Sequence, residues 1–181
     1  MSGREWRLDQ LFSMFPDVTR GTDRMLRCLW RTSGEGRCIK DQAGARRSAS
    51  VSLTAKPGDQ FVVRLANTWP DSISASDKQS LESELLRGIL EGTISCEDPP
   101  WKCQLECSEV EWLPADRGPT LVREAASLAV EDLVRGGGWE AVGAPGDHGR
   151  LASCGRTLDR DRSASARARA VVVTDVARDV K

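Results

Sequence analysis

Cys96, Cys103 and Cys107 stand close together, and the only histidine of the chain is His148. Three thiolates and an imidazole would make a tetrahedral structural zinc site. Such sites are usually built from short chelating pairs, and none of the six cysteines forms a C-x-x-C pair. The reading taken is therefore no metal, with reduced cysteines serving as small buried hydrophobes. A Ser/His/Asp arrangement would have to use His148 in "GAPGDHGR", a Gly/Pro-rich stretch without a G-x-S-x-G elbow, so that histidine reads as a solvated loop residue. Glu106, Glu109 and Glu111 could supply a paired acid and base. They read first as a solvent-facing acidic edge. Gly136-Gly137-Gly138 follows a helical pattern instead of preceding one, which is the wrong polarity for a phosphate loop and the right one for a helix stop. No G-x-x-x-x-G-K-[ST] segment occurs. No catalytic residue and no cofactor are assigned.

The 181 residues carry a net charge of −1, distributed unevenly. Residues 1–50 sum to +4, residues 51–138 to −7 and residues 139–181 to +2. An acidic centre argues against a broad nucleic-acid face, whose affinity comes from Lys and Arg neutralising phosphates, while a basic arm can still touch RNA locally. No apolar run approaches a membrane span, and the N-terminus lacks a signal-peptide core, so a soluble, cytoplasmic protein with no membrane partner is expected.

Three regions are expected. Residues 1–47 form a helical N-terminal arm and linker. Leu8, Leu11, Phe12 and Phe15 have amphipathic-helix spacing ended by Pro16, and a second short helix from Thr22-Asp23 would carry Met25, Leu26, Leu29 and Trp30. "RTSGEGRCIKDQAGARRSAS" lacks periodicity and reads as linker. Residues 48–138 form the core domain. Val51, Leu53 and Ala55 alternate, as do Phe61, Val63 and Leu65, around Lys56-Pro57-Gly58-Asp59, which predicts an antiparallel hairpin.

Ser76 with Gln79 then suggests a capping box for a helix striped by Leu81, Leu85 and Ile89, widened by Leu86 and Leu90 and stopped by Gly92. "WKCQLECSEV" alternates Trp101, Cys103, Leu105 and Cys107 on one face, a half-buried strand that gives Cys103 and Cys107 a structural role. "GPTLVREAASLAVEDLVRGGG" is a second helix whose face, Leu121, Ala125, Leu128 and Ala129, is rich in alanine. Residues 139–181 form a low-complexity tail, read as partly disordered or as adding an edge strand through Val171-Val172-Val173. The fold class is thus α+β: a small, mainly antiparallel sheet with two helices on one face. Trp69, Trp101 and Trp112 could cluster at one sheet end, read first as core or rim packing and alternatively as stacking on RNA bases.

Gly88, inside "ELLRGILEG", costs roughly 1 kcal/mol relative to alanine in a helix and asks for a reason. "LLRGILEG", the proline-led "PPWKCQLECSEVEW" and "GPTLVREAASLAV" together resemble, over residues 48–135, domain IV of translation elongation factor G within the ribosomal-protein-S5-domain-2-like group. Its first helix has the form V-x-K-G-I-x-E-A, with Gly88 at the family glycine and Thr120 where serine begins the last helix. The resemblance implies a non-catalytic binding module that meets a ribosome or another RNA-protein assembly, with Gly88 permitting close helix packing. Arg20, Arg24, Arg27, Arg31, Arg46 and Arg47 are then the candidate phosphate contacts. A protein-protein adaptor using the acidic sheet face or the N-terminal helix is the second reading, and an enzyme of unknown class the third.

Overall fold

A computed structural model describes residues 4–19, 24–42, 45–66, 69, 73–112, 119–143 and 171–173. In chain order the elements are β1 (Arg4–Arg7), α1 (Leu8–Met14), β2 (Met25–Cys28), β3 (Thr32–Gln42), β4 (Ala45–Pro57), β5 (Val62–Leu65), α2 (Ala75–Ser95), β6 (Cys103–Trp112), α3 (Pro119–Arg135), β7 (Trp139–Val142) and β8 (Val171–Val173). The architecture is α+β. A mainly antiparallel six-stranded sheet has the order β1-β5-β6-β4-β3-β8, and β2 with β7 makes a second, two-stranded sheet.

Alternation along β6 explains why it lies inside the sheet. Cys103, Leu105 and Cys107 all point to the core with no exposed surface, and Trp101 precedes them at 4 %. Val51, Leu53 and Ala55 of β4 and Phe61 and Val63 around β5 are equally buried, as their period of two requires. Their pairing differs from the hairpin expected from Lys56-Pro57-Gly58-Asp59. β4 runs antiparallel to β6 and β5 runs parallel to it, so β6 inserts between the two strands. The turn signal is local, whereas the partner arrives forty residues later through the α2 crossover that a parallel β5–β6 pair demands. The connection crosses the start of β6, where Gly58 lies against Cys103 and Gln104.

The region read as a helical arm and linker is instead largely strand. α1 forms as its spacing predicts, burying Leu11 and Phe15 in the core, but β1 precedes it and pairs with β5. The second helix expected around Met25 and Trp30 is replaced by β2, because Leu26 and Cys28 bond through their backbones to Pro99 and Lys102 while β7 pairs on the other side. The expected linker is β3, paired with β4 over its whole length. Its core-facing positions are Gly34, Gly36 and Cys38, so small side chains erase the hydrophobic alternation that marks a strand.

The glycines of β3 admit α3. A Cβ on Gly36 would overlap the carbonyl oxygen of Ala125, and one on Gly34 would stand 2.6 Å from that of Ala129. On the opposite side, Gly88 and Gly92 of α2 bring that helix onto the same partner. A Cβ at Gly88 would overlap the Arg123 carbonyl, and one at Gly92 would lie 2.8 Å from the Cα of Ser127. Helix α3 is therefore held between two glycine pairs at a closeness that side chains forbid, which answers the question Gly88 raises. The helix cap lies two residues earlier than the Ser76 expectation: Ser74 Oγ accepts from the Asp77 amide at 3.1 Å. Gly92 does not stop α2, which continues to Ser95, because its role is this contact. Leu128 is half-buried, and Val122, Ala126, Val130 and Leu133 complete a buried surface facing both α2 and the sheet.

Candidate nucleic-acid interface

The six arginines do not form one patch. Arg20 lies outside the described residues, as do His148 and Cys154. Arg24, Arg27 and Arg31 gather on and beside β2, and all three are exposed. Arg46 and Arg47 begin β4 at the far end of the β3–β4 ladder, where Arg47 faces Lys40 and Arg46 faces Asp41. From Thr32 to Lys40 the ladder rises roughly 26 Å, so the two groups occupy opposite ends of the sheet. Arg24 pairs with Asp98 at 3.2 Å. Arg27 and Arg31 form no ion pair with a described carboxylate, although Arg31 lies near enough to Glu106 to favour its charged form.

Between Arg27 and Arg31 stands the feature that sequence reasoning missed. Trp30, in the turn from β2 to β3, is 60 % exposed, and Leu29 beside it is 45 % exposed. Local chemistry fixes the turn. The Leu29 amide donates to the Gly138 carbonyl at 2.8 Å, and the Cys28 thiol donates to the Trp30 carbonyl at 3.0 Å. Gly138, at φ +91°, supports the indole from beneath; a Cβ there would stand 3.0 Å from Trp30 Nε1. The three glycines after α3 thus end the helix, as expected, and the last of them, Gly138, also seats the tryptophan. The signal in the sequence is "RCLWR", an aromatic between two arginines, which a helical reading of the segment concealed.

The other tryptophans are not grouped as expected. Trp101 is a core residue, edge-on to Phe61 at 5.3 Å and tilted against Phe12 at 6.1 Å. Trp112 closes the opposite end of β6, and Trp69 is half-buried near α2. Next to Trp101 a cleft of about 490 Å³ opens, floored by Phe12 and Phe61 and rimmed by Arg7, Asp59 and Lys102. Its rim carries both signs of charge. With Trp30 and Arg31, it lies at the end of the sheet where β6 begins.

The face of the sheet away from the helices is polar. A bulge at Ser52/Leu53 shifts the register of β6, so that Glu106 faces Thr54, Glu109 faces Ser52 and Glu111 faces Ser50 on this same side. Glu106 is held below the usual carboxylate range chiefly by its hydrogen bond from Lys56, and Ser50 donates to Glu111 at 2.9 Å. Glu106 and Glu111 are thus engaged with neighbours on the polar face of the sheet. Among the described residues no group of three His, Cys, Asp or Glu is placed to hold a metal ion. Burial pushes the Cys107 thiol up to about 12 and raises that of Cys103 well above its ordinary value, which suits core residues. No helix is long and apolar enough to cross a membrane among the described residues.

An ion-pair cluster joins α2 to α3 and to the chain after α1. Glu91 of α2 receives Arg123 Nε of α3 at 2.6 Å and Arg87 Nε at 3.0 Å, and Arg87 also reaches Asp17 after α1. Burial alone would raise the Glu91 carboxyl, but the bonds from Arg123 and Arg87 outweigh it and hold the group below its usual range. A carboxyl depressed on folding contributes stability above its unfolded value and loses it as pH falls through the folded one. Glu91→Gln should therefore cost about 1 kcal/mol at pH 7, discounted for partial exposure. The deficit relative to the native chain should shrink as pH falls from about 5 towards 3 in urea titrations. An equal deficit at both pH values would show that the charge is irrelevant.

No family model matches the sequence, and no curated protein matches it. Among solved structures, a crystal structure of a Thermus thermophilus protein resembles the chain with a TM-score of 0.50 at 16 % identity. The match covers 66 % of this chain and 18 % of that one, so the likeness is one of fold, to a small part of a longer protein.

Proposed function

We propose that the chain is a non-catalytic binding module, similar to domain IV of elongation factor G, which meets a ribosome or another RNA-protein assembly through the Trp30 end of its sheet. The observation that carries this reading is an exposed indole seated on Gly138, with Arg27 and Arg31 flanking it in the sequence. A tryptophan face stacks on any base, and flanking guanidinium groups neutralise phosphates, so the combination suits unpaired nucleotides of a folded RNA. The strand-helix-strand-helix order and the close α2–α3 contact at Gly88 support the likeness to the factor domain. Arg46 and Arg47, at the other end, are secondary contacts in this reading. The cytoplasm is the compartment that fits such a partner.

The test is fluorescence anisotropy of the full chain with a structured ribosomal RNA fragment over a salt series. Trp30→Ala should weaken binding by about 10-fold while leaving the salt slope intact. Arg27→Ala with Arg31→Ala should flatten the slope by about two units. Binding unchanged in both variants refutes the assignment. The exposed Leu29 beside Trp30 favours one other reading, a protein-protein adaptor. In that case a partner stays bound after nuclease treatment.

A further inference from the structure

The outer edge of β3 is partly uncovered, roughly 30 Å along the strand from Trp30. Asp132 of α3 accepts from the Glu35 amide at 3.1 Å, so Glu35 turns its main-chain groups to the edge rather than to β4. By the alternation of an antiparallel ladder, Arg37, Ile39 and Asp41 turn theirs the same way. The Asp132 carboxylate protects the edge at Glu35, which leaves 37–41 as the stretch open to another strand. β8 occupies part of it, running parallel with Cys38↔Val171, Ile39↔Val172 and Lys40↔Val173.

Ile39 marks the same place. Its neighbour Cys38 points to the helices, where its thiol meets Glu124 at 3.1 Å, so Ile39 points to the polar face, opposite Ser48. There it is 3 % exposed although it lies outside the hydrophobic core cluster. An apolar side chain is thus sheltered on an otherwise hydrophilic face at the register position where β8 pairs. Yet β8 spans three residues and lies 28 residues beyond the end of β7. A strand of only three residues pairs weakly and is open to competition from a longer one.

We propose that the 37–41 edge of β3 is a strand-addition site for an extended polypeptide segment that places a β-branched apolar residue opposite Ile39. In this structure Val171–Val173 fills it in cis, as an internal ligand that a longer segment of a partner displaces. Main-chain bonds to Ile39 supply affinity, and its side chain supplies the preference for a β-branched residue. The site is independent of the Trp30 end, so neither reading depends on the other.

A labelled peptide spanning residues 168–177 (ARAVVVTDVA) is titrated into the full-length chain and into the full-length Val171→Pro/Val173→Pro variant, whose tail cannot pair. Freed of its internal competitor, the variant should bind at least about 10-fold more tightly than the native chain. Adding Ile39→Asp to that background should abolish binding. A peptide with aspartate at its central valine should fail on every chain, which separates loss of the site from loss of the fold. Equal affinity for the native and proline-bearing chains, indifference to Ile39→Asp, tolerance of the aspartate peptide, or no binding to any chain would each overturn the proposal.

Discussion

Gly36→Ala should destabilise the chain by about 3 kcal/mol, the upper end of the overpacking range, with a fall in Tm of roughly 6–12 °C. The added methyl has nowhere to go. It would overlap the Ala125 carbonyl and stand 3.0 Å from the Ala129 Cα, and both atoms belong to the backbone of α3. No rotamer change relieves that, so the helix must lift from the sheet. Lifting it would loosen the burial of Ala125, Ala129 and Leu133 and the Asp132 contact to the Glu35 amide. Gly136→Ala is the control. Its Cβ would meet ordinary contacts at 3.5 Å, and its backbone is not left-handed, so the change should stay within about 0.5 kcal/mol. Thermal and urea unfolding of the two variants compare them directly, and equal losses would mean that α3 is not pressed on β3.

Gly88→Ala has an expected sign opposite to that of local propensity. In an exposed helix the substitution would gain about 1 kcal/mol. Here the methyl would overlap the Arg123 carbonyl and lie 2.8 Å from its Cα, so a net loss of about 2 kcal/mol is expected. Gly92 is one turn along on the same side, against Ser127, which leaves α2 no pivot by which to tilt away. Any displacement would also disturb the Arg123–Glu91 bonds that join the helices. A variant more stable than the native chain in urea would show that the glycine is only a weak spot held by tertiary contacts.

Sequence pattern revealed the faces of this protein better than its partners. Cys103, Leu105 and Cys107, with Val51, Leu53, Val63 and the Leu81-Leu85-Ile89 stripe, all turn inward where their periods place them. That signal is local, because burial of one face imposes its period on each element separately. Pairing is not local: nothing in residues 51–65 announces that β6 inserts between β4 and β5. Nor could periodicity reveal β3, since close packing against α3 demands glycine where a strand would normally display branched side chains. The same substitution of backbone for side chain hid the purpose of Gly92 and Gly138. Trp30 was legible as a residue type between arginines, but its exposure depends on the β2 register and on a glycine more than a hundred positions away.

Co-sedimentation of the purified full chain with ribosomes, at low and at physiological salt, bears most directly on the binding-module reading. The native chain should pellet with ribosomes at low salt and release steeply as salt rises. The triple variant Arg27→Ala/Trp30→Ala/Arg31→Ala, folded with an unchanged Tm, should stay in the supernatant. Absence of the native chain from the pellet at both salts, or equal pelleting of the triple variant, would contradict RNA engagement through the Trp30 end.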